Sequence, residues 1–400
     1  MKGIDIVYNF DKDNDRKNST SYKWTFEIEK DEIKKGLYPM TVADMEFDVS
    51  DSIKKSILKR VERGVFGYEA LSENYYNAVK NRLKLKHNLD IENSDIIENT
   101  NAIVSLSIAL QAFSDIGDEV IIHSPGYMNF FTTTQLLDRK ILESPLAVID
   151  DKYEIDFEQM ESIVTPKTKI LIFCNPQNPT GNVWSLEDVT KICEFAKRHN
   201  ILIISDELHH DFVFNGVKHI MTENISRKIG SKCITLISPG KSFNVSGCKT
   251  SCAIITDEKI RNKFVETKEK LRFPSAHIFA ESIILGAYSE EGEKWQNAVK
   301  EYIFENKKIF INFVKEKLPK IKIRKTDATY LLWVDFSELK LSDEELEKLL
   351  KEKCLIKVSD GKAFGSFYSQ CRRFNIAIQR EKLFEILDRI YNVFEKENLN

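Results

Sequence analysis

Short runs of apolar and β-branched residues recur through the middle of the chain, with helical patterns between most of them. The strand candidates read "EVIIHSP", "KILIFCNP", "ILIISDEL", "CITLISP" and "TSCAIIT", and the helical patterns include "AIVSLSIALQAF" and "LEDVTKICEFAKRH". Near-continuous apolar strands separated by helices are typical of a mostly parallel sheet that is covered on both faces. The pattern therefore predicts an α/β fold.

The pattern changes from residue 286 onward. The stretch "EKWQNAVKEYIFENKKIFINFVKEKL" predicts one long amphipathic helix, and shorter strand and helix patterns follow it. We expect an N-terminal segment, residues 1–48, that packs on a small domain or on a partner subunit. A large domain, residues 49–285, and a smaller α+β C-terminal domain, residues 286–400, would complete the chain.

Composition and charge narrow the possible partners. The chain has 400 residues, and 59 Lys and Arg against 62 Asp and Glu leave a net charge of -3, which argues against nucleic acid or an anionic membrane. No apolar run approaches the roughly 18 residues of a membrane helix, so we expect a soluble cytoplasmic protein. The seven cysteines include no C-x-x-C pair and the seven histidines are scattered, which predicts inert thiols and no metal site.

Polar side chains follow several predicted strands at the point where each strand ends. In open α/β sheets, ligands bind beyond the carboxyl ends of the strands, so these side chains are expected to share one edge. Each has an ordinary explanation when taken singly: a helix cap, a rigid turn, a half-buried ring or a solvated amine. The set consists of Tyr127, Asn175, Asn178, Asp206, His209 and Lys241.

Together these residue types suit one cofactor. A partly buried amine such as Lys241 can form a Schiff base with an aldehyde. A carboxylate such as Asp206 can keep a pyridine nitrogen protonated, which makes the ring an electron sink. An amide can contact a ring oxygen, an aromatic side chain can stack on the ring, and N–H groups at a helix start can hold a phosphate. These properties point to pyridoxal 5′-phosphate (PLP).

A series of motifs then makes the chain recognisable. They include "NSTSYKW", "LYPMTVADMEF", "GVFGYEAL", "SPGYMNFF", "CNPQNPTGNVW", "ISDELHHDFVF", "SPGKSFNVSG", "ATYLLWVDF" and "RRFNIAIQR". The chain resembles the aspartate-aminotransferase fold superfamily of PLP enzymes, within it the cystathionine β-lyase or C–S lyase branch that shares the class I/II aminotransferase domain. The resemblance implies a large domain with a mostly parallel seven-stranded sheet between helices, and a smaller α+β domain.

The resemblance also implies roles for the residues around the cofactor ring. Lys241 would form the Schiff base with the cofactor and later move the Cα proton of the substrate. Asp206 would pair with the pyridine nitrogen, and Tyr127 would stack on the ring. Asn178 would contact the phenolic oxygen, and His209 would lie near the same oxygen, where many aminotransferases have a tyrosine.

A second group of residues would hold the phosphate. Ser238 and the backbone N–H groups of Ala102 and Ile103 would bind it, and Lys249 would add a contact. Tyr68 would reach the phosphate bound by a neighbouring subunit. The resemblance therefore implies a homodimer whose active sites combine residues from both subunits.

The substrate would be an amino acid held by its α-carboxylate. Arg373 would bind the carboxylate through its planar guanidinium, with Asn178 and Tyr68 also contacting the substrate. Alternation along "RFNIAI" places Arg373 on the same strand face as Asn375 and favours it over Arg372.

The chain departs from the family pattern at several positions, and these leave the substrate open. Ala102 stands where a glycine is usual, Thr41 stands where the branch usually has tryptophan, and "GSFYSQCRRF" is poor in glycine. The branch motifs favour β-elimination of cystathionine or another L-cysteine S-conjugate to thiol, pyruvate and ammonia. An aminotransferase acting on an L-amino acid is the alternative, and a regulatory, partner-binding protein that retains the fold is a third possibility.

Overall fold

The computed structural model describes residues 8–274 and 276–399, so the first seven residues of the predicted N-terminal segment and residue 400 lie outside it. Its centre is a seven-stranded sheet in which five neighbouring strands run parallel, while Ser251–Ile254 is antiparallel to both of its neighbours. The prediction of a mostly parallel seven-stranded sheet is confirmed. In spatial order the strands are Ile96–Asn99, Ser251–Ile254, Lys232–Ile237, Leu202–Asp206, Thr168–Cys174, Glu119–Ser124 and Lys140–Pro145.

Both faces of this sheet are covered, as the apolar strands require. Along the strand Thr168–Cys174, Ile170 and Ile172 pack into one hydrophobic cluster, while Leu171 and Phe173 pack into another on the opposite face. The helices of this part of the chain are Asp51–Glu62, Glu73–His87, Ala102–Phe113, Met128–Leu136, Phe157–Ile163, Leu186–Arg198, Thr222–Ile229, Pro239–Ser242, Glu258–Lys270 and Ala280–Ala287.

Local capping fixes where several of these helices begin. The Ser185 hydroxyl accepts from the backbone N–H of Asp188 at 3.1 Å, and the Asp188 carboxylate accepts from the N–H of Ser185 at 2.9 Å. This reciprocal pair satisfies N–H groups that have no acceptor within the helix.

A four-stranded antiparallel sheet forms the centre of the C-terminal part of the chain. Its strands, in spatial order, are Lys322–Ile323, Leu331–Asp335, Cys371–Asn375 and Ser359–Asp360. The predicted long helix is present and precedes this sheet. The helices here are Glu290–Lys317, Asp343–Lys348, which continues as a wider turn over Leu349–Lys353, and Arg380–Lys396.

The N-terminal segment packs against this smaller sheet region. The strand Tyr38–Pro39 pairs in parallel with Ile356–Lys357, and Trp24 lies in the same hydrophobic cluster as Leu332 and Phe394. The division near residues 48 and 285 stays a prediction. The remaining elements are the short helices Tyr22–Thr25 and Lys30–Lys34 and the hairpin Ala147–Ile149 with Lys152–Glu154. Within the described ranges, no helix has the length and apolar character needed to cross a bilayer.

Candidate active site

A cavity of about 880 Å³ lies beyond the carboxyl ends of the central strands, between the large sheet and the C-terminal part of the chain. The register explains the convergence, since Cys174 lies beside Asp206 and Asp206 beside Leu236 at the same edge. Ten of the predicted site residues line this cavity. They are Ala102, Ile103, Tyr127, Asn178, Asp206, His209, Ser238, Lys241, Lys249 and Arg373.

Two residues singled out from the sequence do not line the cavity. The Asn175 side chain is buried, and its Nδ2 donates to the Ile220 carbonyl oxygen at 2.8 Å, so it holds a turn together. Tyr68 is fully exposed, in an irregular segment between the helices Asp51–Glu62 and Glu73–His87.

Lys241 is presented by a tight strand-to-helix turn. Ser238 caps the short helix Pro239–Ser242, which begins directly after the strand Lys232–Ile237. The Lys241 Nζ donates to the carbonyl oxygen of Ala43 at 2.7 Å. Burial, helped by the positive charge of Arg373, lowers the pKa of Lys241 to about 8. About a tenth of this amine is therefore neutral, and nucleophilic, at pH 7.

Asp206 ends the neighbouring strand and faces the same cavity. It is 7% exposed, its Oδ1 accepts from the backbone N–H of Leu208 at 3.1 Å, and burial raises its pKa to about 6. Among the described residues, no basic side chain lies within ion-pair distance of it. A cationic group bound in the cavity would therefore be stabilised by this carboxylate.

The start of the helix Ala102–Phe113 forms the opposite end of the cavity. The Asn101 side chain accepts from the backbone N–H of Val104 at 2.9 Å, which leaves the N–H groups of Ala102 and Ile103 without an intrahelical acceptor. With the helix dipole, these groups form an anion site.

Ser238 and Lys249 lie at the same end. The Ser238 hydroxyl donates to the Thr250 carbonyl oxygen at 2.7 Å and accepts from the Gly240 N–H at 2.9 Å. Lys249 is exposed at the cavity rim and has a left-handed backbone conformation, with a φ of 48°. Its ammonium adds positive charge where an anion would bind.

Arg373 lies across the cavity from the large sheet. It is buried, with Nη1 donating to Asn178 Oδ1 at 3.1 Å, Nη2 donating to Ser359 Oγ at 3.3 Å, and the guanidinium 4.9 Å from the Phe364 ring centre. Burial lowers its pKa to about 10, so it remains charged at neutral pH. No carboxylate of the described chain pairs with it, which leaves it available for an anionic ligand.

The neighbouring Arg372 has a different environment. Its Nη2 donates to Asp343 Oδ1 at 2.7 Å on the opposite face of the strand. Alternation along the strand thus separates an arginine that faces the cavity from one that is held in an ion pair.

His209 and Tyr127 complete the cavity wall. His209 is 4% exposed, its Nδ1 has no partner among the described residues, and burial lowers its pKa well below the usual value, so it is neutral. The Tyr127 hydroxyl accepts from Asn129 Nδ2 at 2.8 Å, and burial raises its pKa. The neutral phenol presents an aromatic face to a planar ligand.

The sequence did not predict the backbone segment around Ala43, whose carbonyl oxygen accepts a hydrogen bond from Lys241. The Tyr330 hydroxyl also donates to the Ala43 carbonyl, at 3.1 Å, and the Asn375 Nδ2 donates to the carbonyls of Val42 and Asp44 at 2.7 and 2.6 Å. Val42 has a φ of 34°, which is strained for a β-branched residue. The position of Asn375 on the strand face of Arg373 was the signal that could have revealed this support.

Comparison with known proteins identifies the class. Residues 39–390 match the family described as aminotransferase class I and II, so the chain belongs to that family. The chain is 33% identical over 383 residues to cystathionine beta-lyase PatB of Bacillus subtilis (strain 168), covering 96% of this chain and 98% of that protein. The predicted family and the prediction of an enzyme of this superfamily are confirmed.

Solved structures give the same class and fold. A PLP-bound protein of Clostridium difficile 630, named as an aminotransferase, is 34% identical with a TM-score of 0.92, covering 97% of this chain and 100% of that one. Cystalysin of Treponema denticola, whose crystal structure contains pyridoxal 5′-phosphate, is 29% identical with a TM-score of 0.93, covering 98% of this chain and 100% of that one. Similarity over nearly the full length of each chain confirms the predicted fold.

Proposed function

We propose that this protein is a PLP-dependent carbon–sulfur β-lyase that cleaves cystathionine or another L-cysteine S-conjugate to a thiol, pyruvate and ammonia. One observation carries the proposal: a single cavity combines the amine of Lys241, the acid of Asp206 and the guanidinium of Arg373, and none of the three has an ion-pair partner within the described residues. The names of similar proteins, cystathionine beta-lyase and cystalysin, favour the lyase reaction.

The cavity fits PLP at both ends of the cofactor. Asp206 is a buried acid without a counter-charge, and a protonated pyridine nitrogen would supply one. The free N–H groups of Ala102 and Ile103, with Ser238 and Lys249 beside them, would hold the phosphate. Tyr127 would stack on the ring, while Asn178 and His209 would face its phenolic oxygen. Bound PLP withdraws electrons from the substrate Cα and so makes its proton removable.

The chain's own residues would carry out the remaining steps. The Arg373 guanidinium binds the α-carboxylate and, with Asn178, fixes the orientation of the amino acid. The Lys241 Nζ takes the Cα proton. The electron pair left on Cα forms a double bond to Cβ as the Cβ–S bond breaks and the sulfur leaves as a thiolate. Addition of water to the three-carbon fragment then yields pyruvate and ammonia.

The reaction products test the proposal. We expect the protein, incubated with cystathionine, to release thiol and pyruvate without any added 2-oxo acid, while the Lys241→Ala variant releases neither. Product formation that depends strictly on 2-oxoglutarate would instead establish an aminotransferase, which the name of the Clostridium difficile structure favours. Absence of both reactions together with loss of PLP binding would favour the regulatory alternative.

We also propose a homodimer in which Tyr68 contacts the phosphate bound by the partner subunit. Tyr68 is fully exposed, and its neighbours Val65 and Phe66 are 72% and 55% exposed, which is unfavourable unless another surface covers them. Light scattering should give twice the mass of one chain. Tyr68→Phe should weaken PLP binding, whereas Tyr391→Phe, which changes a tyrosine distant from the cavity, should not. A monomer, or equal affinity in both variants, would contradict this assembly.

A cytoplasmic location completes the proposal. All seven cysteines carry free thiols, and six of them are buried, which suits a reducing compartment. Cell fractionation should recover the activity with the cytoplasmic fraction, and recovery from a membrane or secreted fraction would contradict this location.

A further inference from the structure

A second cluster of polar side chains lies outside the active-site cavity, next to the segment 206–209 that contributes to its lining. It contains His87, the last residue of the helix Glu73–His87, together with His210 and Asp211. One possible ligand atom from each residue lies within 4.8 Å of those of the other two. His210 is 3% exposed and Asp211 is 9% exposed, while His87 is partly exposed at the helix end.

The hydrogen bonds of His210 determine which of its nitrogens is free. Its Nδ1 lies 2.6 Å from the carbonyl oxygen of Glu207, and because a carbonyl only accepts, Nδ1 carries the proton. The Nε2 of the neutral ring therefore presents a lone pair, and it lies 3.4 Å from the carboxylate oxygen Oδ2 of Asp211. The other Asp211 oxygen, Oδ1, already accepts from Arg82 Nη2 at 2.7 Å.

His87 supplies the third possible ligand atom. Its Nε2 is buried without a hydrogen-bond partner among the described residues, as is the Nε2 of His210. The rings of His87 and His210 meet edge to face, with centroids 4.9 Å apart. Two imidazole rings and a carboxylate thus offer ligand atoms within reach of one ion, and the two unpartnered Nε2 atoms are unfavourable unless a bound group pairs with them.

We propose that His87, His210 and Asp211 form a Zn²⁺ site, with water as the fourth ligand. Imidazole nitrogen and carboxylate oxygen are Zn²⁺ ligands at about 2.0–2.2 Å, and the 3.4 Å between His210 Nε2 and Asp211 Oδ2 matches one edge of such a tetrahedron. Glu207 and Arg82 already orient two of the ligands, as outer hydrogen bonds do in metal sites.

The site would stabilise the segment that carries two cavity residues. An ion bound there would join the end of the helix Glu73–His87 to His210 and Asp211, directly after Asp206 and His209. His87 is far from His210 and Asp211 in the sequence, which is why ligand spacing along the chain predicted no metal site. This role does not depend on the proposed lyase reaction.

Metal uptake by the purified full-length protein tests the site. After dialysis against a chelator and then against zinc chloride, elemental analysis should find about one Zn²⁺ per chain, and titration calorimetry should give one binding site. We expect His87→Gln to weaken binding by at least about 10–100-fold, the loss seen even for outer contacts of metal sites. His199→Gln, which changes a surface histidine paired with Glu161, should bind like the wild type.

Two results would overturn the proposal: no stoichiometric uptake by the wild-type protein, or equal affinity in the wild type and His87→Gln. Circular dichroism and the melting temperature would establish that the variant is folded. A second measurement on the wild type alone covers the case of a misfolded variant. Co²⁺ should give the visible absorption of a four-coordinate nitrogen and oxygen site, displaced by Zn²⁺, and absence of that absorption would equally count against the site.

Discussion

The charged side chains buried in the cavity differ in their pairing from several that are buried elsewhere in the protein. In the cavity, Lys241, Asp206 and Arg373 are enclosed without an ion-pair partner among the described residues. Outside it, three buried cations are each paired with an acid: Arg82 with Asp211 and Arg372 with Asp343, each at 2.7 Å, and Lys23 with Glu46 at 2.8 Å. A buried charge without a partner is costly, so the cavity charges make sense only when a ligand supplies the missing partners.

We expect the largest effect on activity from substitution of Lys241, the amine in the cavity. Lys241→Ala removes the nucleophile and the base, so we expect pyruvate release to fall by about 10³-fold or more and the absorption band of the cofactor linkage to disappear. Lys249→Ala is the matched control, because it removes a cavity-lining lysine that would only help to hold the phosphate. It should weaken PLP binding, but at saturating PLP it should keep both the band and most of the activity. Equal losses in the two variants would remove Lys241 from the chemistry.

The adjacent acids Asp206 and Glu207 give the sharpest contrast. Asp206→Asn should lower activity by about 10²–10³-fold, because the ring nitrogen loses its anionic partner. The same change should stabilise the cofactor-free protein by about 1–3 kcal/mol at pH 7, since burial raises the pKa of Asp206 to about 6 and disfavours its ionised form in the fold. For this raised pKa, the wild type gains stability relative to the variant as the pH falls toward 6 and below.

Glu207→Gln should instead lower the stability of the protein and leave its activity nearly unchanged. The Glu207 carboxylate accepts from Ser205 Oγ at 2.9 Å, from the Thr222 N–H at 2.9 Å and from His219 Nε2 at 2.5 Å. We therefore expect a loss of about 1–3 kcal/mol in the free energy of unfolding, with activity changed little in the folded protein. Urea unfolding of the cofactor-free proteins measures both variants, and the same sign for the two stability changes would break the comparison.

Arg373 and Arg372 show the same contrast between a cavity residue and an ion-paired one, and we expect smaller effects from their substitution. Arg373→Ala should reduce kcat/KM by about 10–100-fold, mostly through a higher KM, because it removes charge-assisted hydrogen bonds to the substrate carboxylate. Arg372→Ala should leave KM unchanged and lower the free energy of unfolding by about 1–3 kcal/mol, because it removes the partner of Asp343. Steady-state kinetics with urea unfolding separates them, and a raised KM in Arg372→Ala would contradict the assignment.

Much of the fold could be predicted from apolar runs in the sequence. The features that could not be predicted are those that such runs do not specify. The five strand candidates all coincide with strands of the large sheet. The strand Lys140–Pro145, at one edge, was not predicted because "KILESP" is partly exposed and carries polar residues. The reversed direction of Ser251–Ile254 also escaped prediction, because direction depends on how the connecting residues 238–250 cross the sheet edge.

The candidate site likewise contains side chains that the sequence predicts and contacts that it does not. Side chains at strand ends carry a signal of residue type and position, so Lys241, Asp206 and Arg373 could be named from the sequence. The carbonyl of Ala43 that accepts from Lys241 could not, because every residue has a carbonyl and only the tertiary fold selects this one. The meeting of His87 with His210 was hidden for a related reason, since nothing in local spacing brings a helix end to a distant loop.

The smallest effect concerns how the unpaired amine responds to pH. Burial and the nearby charge of Arg373 lower the pKa of Lys241 to about 8, and only the neutral amine attacks an aldehyde. When the cofactor-free protein is mixed with PLP, the rate of linkage formation should rise about tenfold per pH unit below 8 and level off above it. Arg373→Gln removes one of the causes that lower this pKa, so the midpoint of the rate profile should move upward. A rate that keeps rising to pH 10 in the wild type would mean that the amine is solvated or paired. The contrast between unpaired charges in the cavity and paired charges outside it would then fail at Lys241.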